Sequence, residues 1–210
     1  MSVCYIIGAM PTEYIPCPRK GDIVIAADGG YANLHGIKPD MVVGDFDSLG
    51  FIPESENIVR HPVRKDDTDM MLAVRLGLEK GCEKFVICGG HGGRFDHTFA
   101  NIQTLSFIAE AGGRGFMAMD DQWLCVIKNA SMSFPEGLNH TVSVFALGGN
   151  AEGVDLEGLD YPLKDGELSP DFPLGVSNAF VGKKVAVSVK KGKILIVSQG
   201  RLGDDTIYGS

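Results

Sequence analysis

The chain has 210 residues, of which 44% are hydrophobic and 22% charged, which leaves apolar surface enough for one large or two small domains and excludes intrinsic disorder. Its net charge of −8 disfavours a nucleic-acid partner, because a phosphate backbone is repelled by an acidic surface. No apolar stretch approaches the roughly 18 residues of a membrane span, and the five cysteines, odd in number and without a CxxC pair, argue against a disulfide framework or zinc site and for a reducing, cytoplasmic compartment.

The N-terminal "MSVCYIIGAMPTEY" lacks a basic flank, and its apolar run is too short for a signal peptide; "VCYIIGA" (3–9) reads as a first strand. "DIVIAADGG" (22–30), "DMVVGDFDS" (40–48), "NIVRHPV" (57–63) and "KFVICGG" (84–90) follow as short apolar runs ending in Gly, Asp or Pro. This is the pattern of parallel strands buried on both faces. Two longer stretches interleave with them. "DDTDMMLAVRLGLEKG" has Asp and Thr at its start and Gly81 as a stop. "RFDHTFANIQTLSFIAEAGG" places Phe99, Ile102, Leu105 and Ile108 near helical spacing and ends at Gly112–Gly113. Strands alternating with helices predict an α/β domain with a mostly parallel sheet over residues 1–121.

After about Gly115 the pattern changes. "FMAMDD", "QWLCVIKNA" and "HTVSVFALG" are strand-like, and "KVAVSVKKGKILIVS" (184–198) reads as a hairpin turning at Lys191–Gly192, with "KKGK" its solvated turn. An all-β sandwich domain is expected over 122–210. Trp123 reads as core, and His35, His61 and His140 lack metal-ligand spacing. No GxSxG elbow and no Cys–His spacing supports a covalent nucleophile.

The chemistry is carried by acids at strand ends. In "GDFDS", Asp45 and Asp47 follow an apolar strand, and positions i and i+2 of an extended chain point to one side. Two carboxylates so placed clamp a hard divalent cation such as Mg²⁺, which draws its other ligands from water and phosphate; the competing reading is an Asx turn around Gly44 and Ser48. In "KDDTD", Asp66 or Asp67 suits a helix N-cap, and Asp69 suits the first turn, where the helix dipole favours negative charge. Asp66 and Asp69, three apart, share a helix face, so capping and metal binding are compatible. "ADGG" adds Asp28, with Gly29–Gly30 open to close approach by a ligand. "CGGHGGRFDH" (88–97) lies between a strand and a helix. Its glycines suit a nest of N–H donors for phosphate, Arg94 supplies a guanidinium fork, and Asp96 reads alternatively as a plain N-cap. It is neither a Walker A loop nor a GxGxxG fingerprint.

In order, "ADGG", "GDFDS", "KDDTD", "GGHGGRFDH" with "AN" (100–101), "GLDYPL" (158–163) and "GVSN" (175–178) resemble the thiamine pyrophosphokinase family over most of the chain. The resemblance implies an N-terminal α/β domain binding ATP and Mg²⁺, a C-terminal β-sandwich binding thiamine, and a homodimer with active sites at the interface. The implied reaction converts ATP and thiamine into AMP and thiamine diphosphate. Carried onto this chain, Asp45, Asp47, Asp66 and Asp69 hold Mg²⁺; Asp67 falls at the motif's variable place. Asp28, Gly29, Gly30, Gly90, Gly92, Gly93 and Arg94 line the nucleotide. Asp96, Asn101, Ser177 and Asn178 make polar contacts to nucleotide or thiamine. Asp47, Asp69 and Arg94 are the expected catalytic set, and Tyr161 and Phe180 are candidates for an aromatic partner of the thiamine rings. Tyr31 departs from the family's pattern, which more often has a small residue after "DGG". Two rival readings are a different Mg²⁺-dependent kinase or phosphohydrolase, and a non-catalytic nucleotide- or thiamine-binding module.

Overall fold

The apolar run Val3–Ile7 forms β1, buried along its whole length. It is flanked on both sides by parallel strands, as a strand apolar on both faces requires. The computed structural model describes residues 2–44, 57–59 and 67–209. The chain divides into two compact units, Met1–Asp120 and Asp121–Ser210.

In the first unit, β1 is joined by β2 (Ile23–Ala27), β3 (Met41–Val43), β4 (Ile58–Val59), β5 (Lys84–Cys88) and β6 (Arg114–Ala118), in the order β6-β5-β1-β2-β3-β4. Each of these pairings is parallel. Strand β6, whose sequence first reads with the second half, pairs with β5 from Lys84↔Arg114 to Cys88↔Ala118. Helix α1 (Asp69–Glu79) packs on β1, β2 and β3 through Met70, Ala73 and Val74, and α2 (Phe95–Glu110) packs on β6 and α1. The chain starts in the middle of this sheet, works outward to β4, then crosses back by α1 to β5. The strand order therefore reverses between β1 and β5, and it is beyond the carboxyl ends of the strands at such a reversal that open α/β sheets bind ligands.

The second unit holds β7 (Gln122–Lys128), β8 (Ser131–Phe134), β9 (Thr141–Ala146), β10 (Ala151–Glu157), β11 (Leu163–Leu168), β12 (Asn178–Ala179), β13 (Val185–Lys191) and β14 (Lys193–Gln199), with a short α3 (Asp204–Tyr208). Strands β12-β9-β14-β7 form one antiparallel array and β11-β10-β13-β8 another. Along β9 and β13 buried residues alternate with partly exposed ones, the signature of sheets covered on one face. Trp123 of β7 stacks on Phe134 of β8, with ring centroids 6.0 Å apart, and joins the two layers through the core. The arrangement is a β-sandwich-like fold. Parallel and antiparallel pairing thus segregate by unit.

The expected hairpin over 184–198 is not formed. Strand β13 pairs with β8 and β10, whereas β14 pairs with β7 and β9, so Gly192 is a corner between layers. Asn129, between β7 and β8, holds this corner: its Oδ1 accepts from Gly192 N at 2.9 Å and its N donates to Gly192 O at 3.2 Å. Lys190 and Lys191, read as turn residues, end β13 in exposed ion pairs with Asp165 and Glu152.

Candidate functional site

Beyond the carboxyl end of β1 the chain runs beside the chain leaving β5. Gly8 N donates to Cys88 O at 2.7 Å and Met10 N to Gly89 O at 3.2 Å, so the two exits are joined where the strand order reverses. Gly89 has a left-handed φ of 64°, and a Cβ there would lie 2.4 Å from Met10 O; only glycine allows this approach. At the end of β2, Asp28 also takes a left-handed φ, 45°, and opens a 3-10 turn (Asp28–Asn33). Asp28 Oδ1 is shielded from solvent. Gly44, which follows β3, backs onto this residue: a side chain at Gly44 would meet Asp28 Cα at 3.0 Å. The end of β3 at Gly44 therefore lies against the flank of Asp28. At the far end of the turn, Asn33 Nδ2 donates to Gly8 O (2.9 Å) and Met10 O (3.2 Å).

Of the expected acids, Asp45, Asp47 and Asp66 lie outside the described residues. Asp69 is the first residue of α1, half-buried, where the helix dipole favours its charge. The N-cap is Thr68, whose Oγ1 accepts from Met71 N at 3.1 Å, and not Asp66 or Asp67. The helix begins at Asp69, and the expected face shared by Asp66 and Asp69 falls outside the described residues. Asp67 has a structural partner: its carboxylate meets Arg75 Nε at 3.2 Å, and that guanidinium lies over the Phe107 ring of α2 at 4.8 Å. Among the described residues no group of three or more His, Cys, Asp or Glu is arranged to hold a metal ion.

The glycine loop between β5 and α2 is pinned from several sides. Buried Asn101 donates from Nδ2 to Gly90 O at 2.6 Å, and Gly92 N donates to Thr98 Oγ1 at 3.3 Å. One N–H of the expected nest is thereby engaged within the protein. The N-cap of α2 is Arg94, without a side-chain cap bond, so Asp96 is not the cap. Arg94 Nε and Nη2 instead donate to Asp96 Oδ1 and Oδ2 at 3.1 and 2.5 Å, and His97 N donates to Asp96 Oδ1 at 3.0 Å. The Arg94 guanidinium holds the Asp96 carboxyl below the usual carboxylate range. Both side chains are exposed, so the pair is weakly held and an incoming anion competes with Asp96 for the fork.

In the second unit, Asn178 is 3% exposed and clasps the "GLDYPL" loop: Nδ2 donates to Tyr161 O at 2.7 Å, while Oδ1 accepts from Tyr161 N at 3.0 Å and Ala179 N at 2.9 Å. Its amide thus builds a site wall rather than standing open to a ligand. Ser177 has a left-handed φ of 55°, donates its N–H to Ser143 Oγ at 3.0 Å and is exposed. These residues line a cavity of about 450 Å³ with Tyr161, Leu163, Leu168 and Val176. Tyr161 is 68% exposed, as a stacking residue requires. Phe180 is not available for that role: it is 3% exposed, packed against Phe134 and His140.

Gly8, Met10, Asn33 and Asp120, all at strand exits or the turns beside them, escape a reading of the sequence. Only the glycine ending "VCYII" carries a signal, the same one read at "ADGG".

Residues 18–111 match the family described as thiamin pyrophosphokinase, catalytic domain, and residues 130–194 that described as thiamin pyrophosphokinase, vitamin B1 binding domain. The thiamine pyrophosphokinase of Bacillus subtilis is 28% identical, with 94% of this chain and 98% of that protein covered. Thiamin pyrophosphokinase 1 of Caenorhabditis elegans is 30% identical over half of this chain and 49% of its own length. In fold, the chain is similar to the crystal structure of the Bacillus subtilis protein, with a TM-score of 0.83 at 24% identity, covering 96% of this chain and 100% of the other. The thiamin pyrophosphokinase of Candida albicans gives a TM-score of 0.71 at 18% identity, covering 95% and 89%.

Proposed function

This chain belongs to the thiamin pyrophosphokinase family, and from that premise we propose that it transfers a pyrophosphoryl group from ATP to the primary hydroxyl of thiamine, giving AMP and thiamine diphosphate. The observation that carries this reading is the succession, on one chain, of a match to the family's catalytic domain and a match to its vitamin-B1-binding domain. Neither rival accounts for both. Another kinase or phosphohydrolase has no use for a vitamin-B1-binding domain, and a binding module has no use for a catalytic one.

ATP is assigned to the first unit, over the carboxyl-terminal exits of β1 and β5. The loop Gly90–Arg94 and the turn opening at Asp28–Gly29 face its phosphates there, with Gly30 packed against β1 and Arg94 turning from Asp96 to the polyphosphate. Asn101 acts on this site through Gly90 O, which it holds at 2.6 Å. Thiamine is assigned to the second unit, with Tyr161 and Ser177 as direct contacts and Asn178 setting the wall.

Asp45, Asp47, Asp66 and Asp69 are assigned as ligands of Mg²⁺. What supports the fit is a donor set of carboxylates alone, suited to a hard cation, together with the exit of β3 at Gly44 against Asp28 and the start of α1 at Asp69. When bound, the ion spreads the charge of the phosphate oxygens and lowers the cost of in-line attack. The chain's own contribution is positioning: the loop and Arg94 orient the polyphosphate, and no strong general base is needed.

A homodimer with sites at its interface is proposed on the exposed apolar side chains of each unit, Phe95 and Phe99 in the first and Phe172, Leu174 and Val176 in the second. A cytoplasmic location is proposed on the five free thiols. The metal assignment is tested by Asp47→Asn and Asp69→Asn. Each lowers turnover by about 100-fold or more with the circular-dichroism spectrum unchanged; near-normal activity in both refutes it.

A further inference from the structure

The glycine loop after β5 rests on the segment that leaves β1. Besides the Met10 N to Gly89 O bond, the Met10 side chain lies under the loop. A Cβ at Gly93 would meet Met10 Cε at 3.1 Å and Sδ at 3.3 Å, and one at Gly92 would meet Cε at 3.5 Å. Gly92 and Gly93 have left-handed φ values of 100° and 60°, so Met10 is the floor against which this turn of the loop is set.

Two clasps hold that floor. Asn33 grips the Gly8 and Met10 carbonyls on one side. On the other, Asp120, just after β6, accepts from Thr12 Oγ1 at 2.9 Å and from Glu13 N at 2.8 Å, and Thr12 Oγ1 in turn accepts from Tyr14 N at 3.1 Å. The second clasp joins residues 108 positions apart in the chain. It ties the exit of β1 to the exit of β6, with the β5 loop between them in the sheet order. The Glu13 N–H, then the Thr12 hydroxyl, hold the Asp120 carboxyl below its ordinary range, and the nearby His91 of the loop adds to the effect. Asp120 is thus an ionised acceptor whose bonds run to the floor segment.

We propose that Asp120 is a positioning residue for the glycine loop: by fixing Thr12–Glu13 it holds Met10 in place, and through Met10 it sets the Gly92–Gly93 conformation that receives the polyphosphate of a nucleoside triphosphate. Asp120 does not itself touch the ligand. The inference rests on the reading that this loop is the nucleotide site.

The test uses the whole chain with Asp120→Ala and Asp120→Asn. Asparagine keeps a carbonyl oxygen that accepts both bonds, whereas alanine loses them. Two quantities are read: amide hydrogen exchange over residues 89–93 without ligand, and the KM values for ATP and for thiamine. In Asp120→Ala the loop amides exchange faster and the KM for ATP rises about tenfold, with the KM for thiamine unchanged and kcat within about twofold. Asp120→Asn stays within about twofold of the parent on every measure. Unchanged loop exchange in the alanine variant overturns the proposal. So does an asparagine variant as impaired as alanine, or an equal rise in both KM values. If Asp120→Ala does not fold, Thr12→Val, which removes the hydroxyl's bonds to Asp120 and to Tyr14 N, decides by the same exchange measurement: faster exchange over 89–93 supports the clasp and unchanged exchange refutes it. Exchange needs no turnover, so a parent chain without pyrophosphokinase activity counts against the functional reading and leaves this test intact.

Discussion

At Gly30 a single methyl group would fall 1.8 Å from the carbonyl oxygen of Ile7. The dipeptide in "ADGG" reads from sequence as backbone left open for a ligand, yet the space beside Gly30 is filled by β1. Gly30→Ala therefore lowers stability by about 3 kcal/mol, seen as a fall in the urea midpoint without a change in slope; an unchanged midpoint contradicts the packing account. Other residues follow the same rule. That Arg94, Asp96, Asn101 and Asn178 are candidates for a site was legible, because their types and neighbours carry the signal. Their partners were not, since the partner is fixed by folding: Asn178 faces Tyr161 from 17 positions away and Asn101 faces Gly90 from 11. Thr68 displaced Asp66 and Asp67 as N-cap because any of the three suits that position and only the first helical residue decides.

Strands buried on both faces and the two helices of the first unit were readable as elements, since continuous apolar runs and 3.6-residue spacing have few alternatives. The corner at Gly192 was not. A hairpin and a corner show the same two apolar runs with glycine between, and Asn129, which holds the corner, lies 63 residues away in the chain. Strand pairing in the second unit also half-buries His140, the residue before β9. Its Nε2 lies 3.2 Å from Ser198 Oγ of β14, and its ring meets Phe180 edge-on at 4.9 Å. Burial pushes its pKa below the ordinary value of 6.5. With the folded pKa depressed, the unfolded chain binds the proton first as pH falls. The contribution of neutral His140 is therefore complete above about 6.5 and is lost progressively below it, down to the folded pKa. Thermal melts of the parent and of His140→Gln, compared from pH 8 to 5, show the parent losing more stability below pH 6.5; parallel curves contradict this.

Across the whole molecule, the ordered set of motifs carried more than any one of them, because each strand-end acid or glycine pair has an ordinary structural use and their succession does not. The parallel unit reverses its strand order between β1 and β5, and the antiparallel unit holds a cavity walled by Asn178 and Tyr161. The pyrophosphoryl chemistry is tested most directly by incubating the chain with ATP, Mg²⁺ and thiamine and identifying the nucleotide and vitamin products by mass. The account predicts AMP and thiamine diphosphate in equal amounts, both abolished when a chelator removes the metal. Formation of ADP with thiamine monophosphate, or of free phosphate without any thiamine ester, would contradict it.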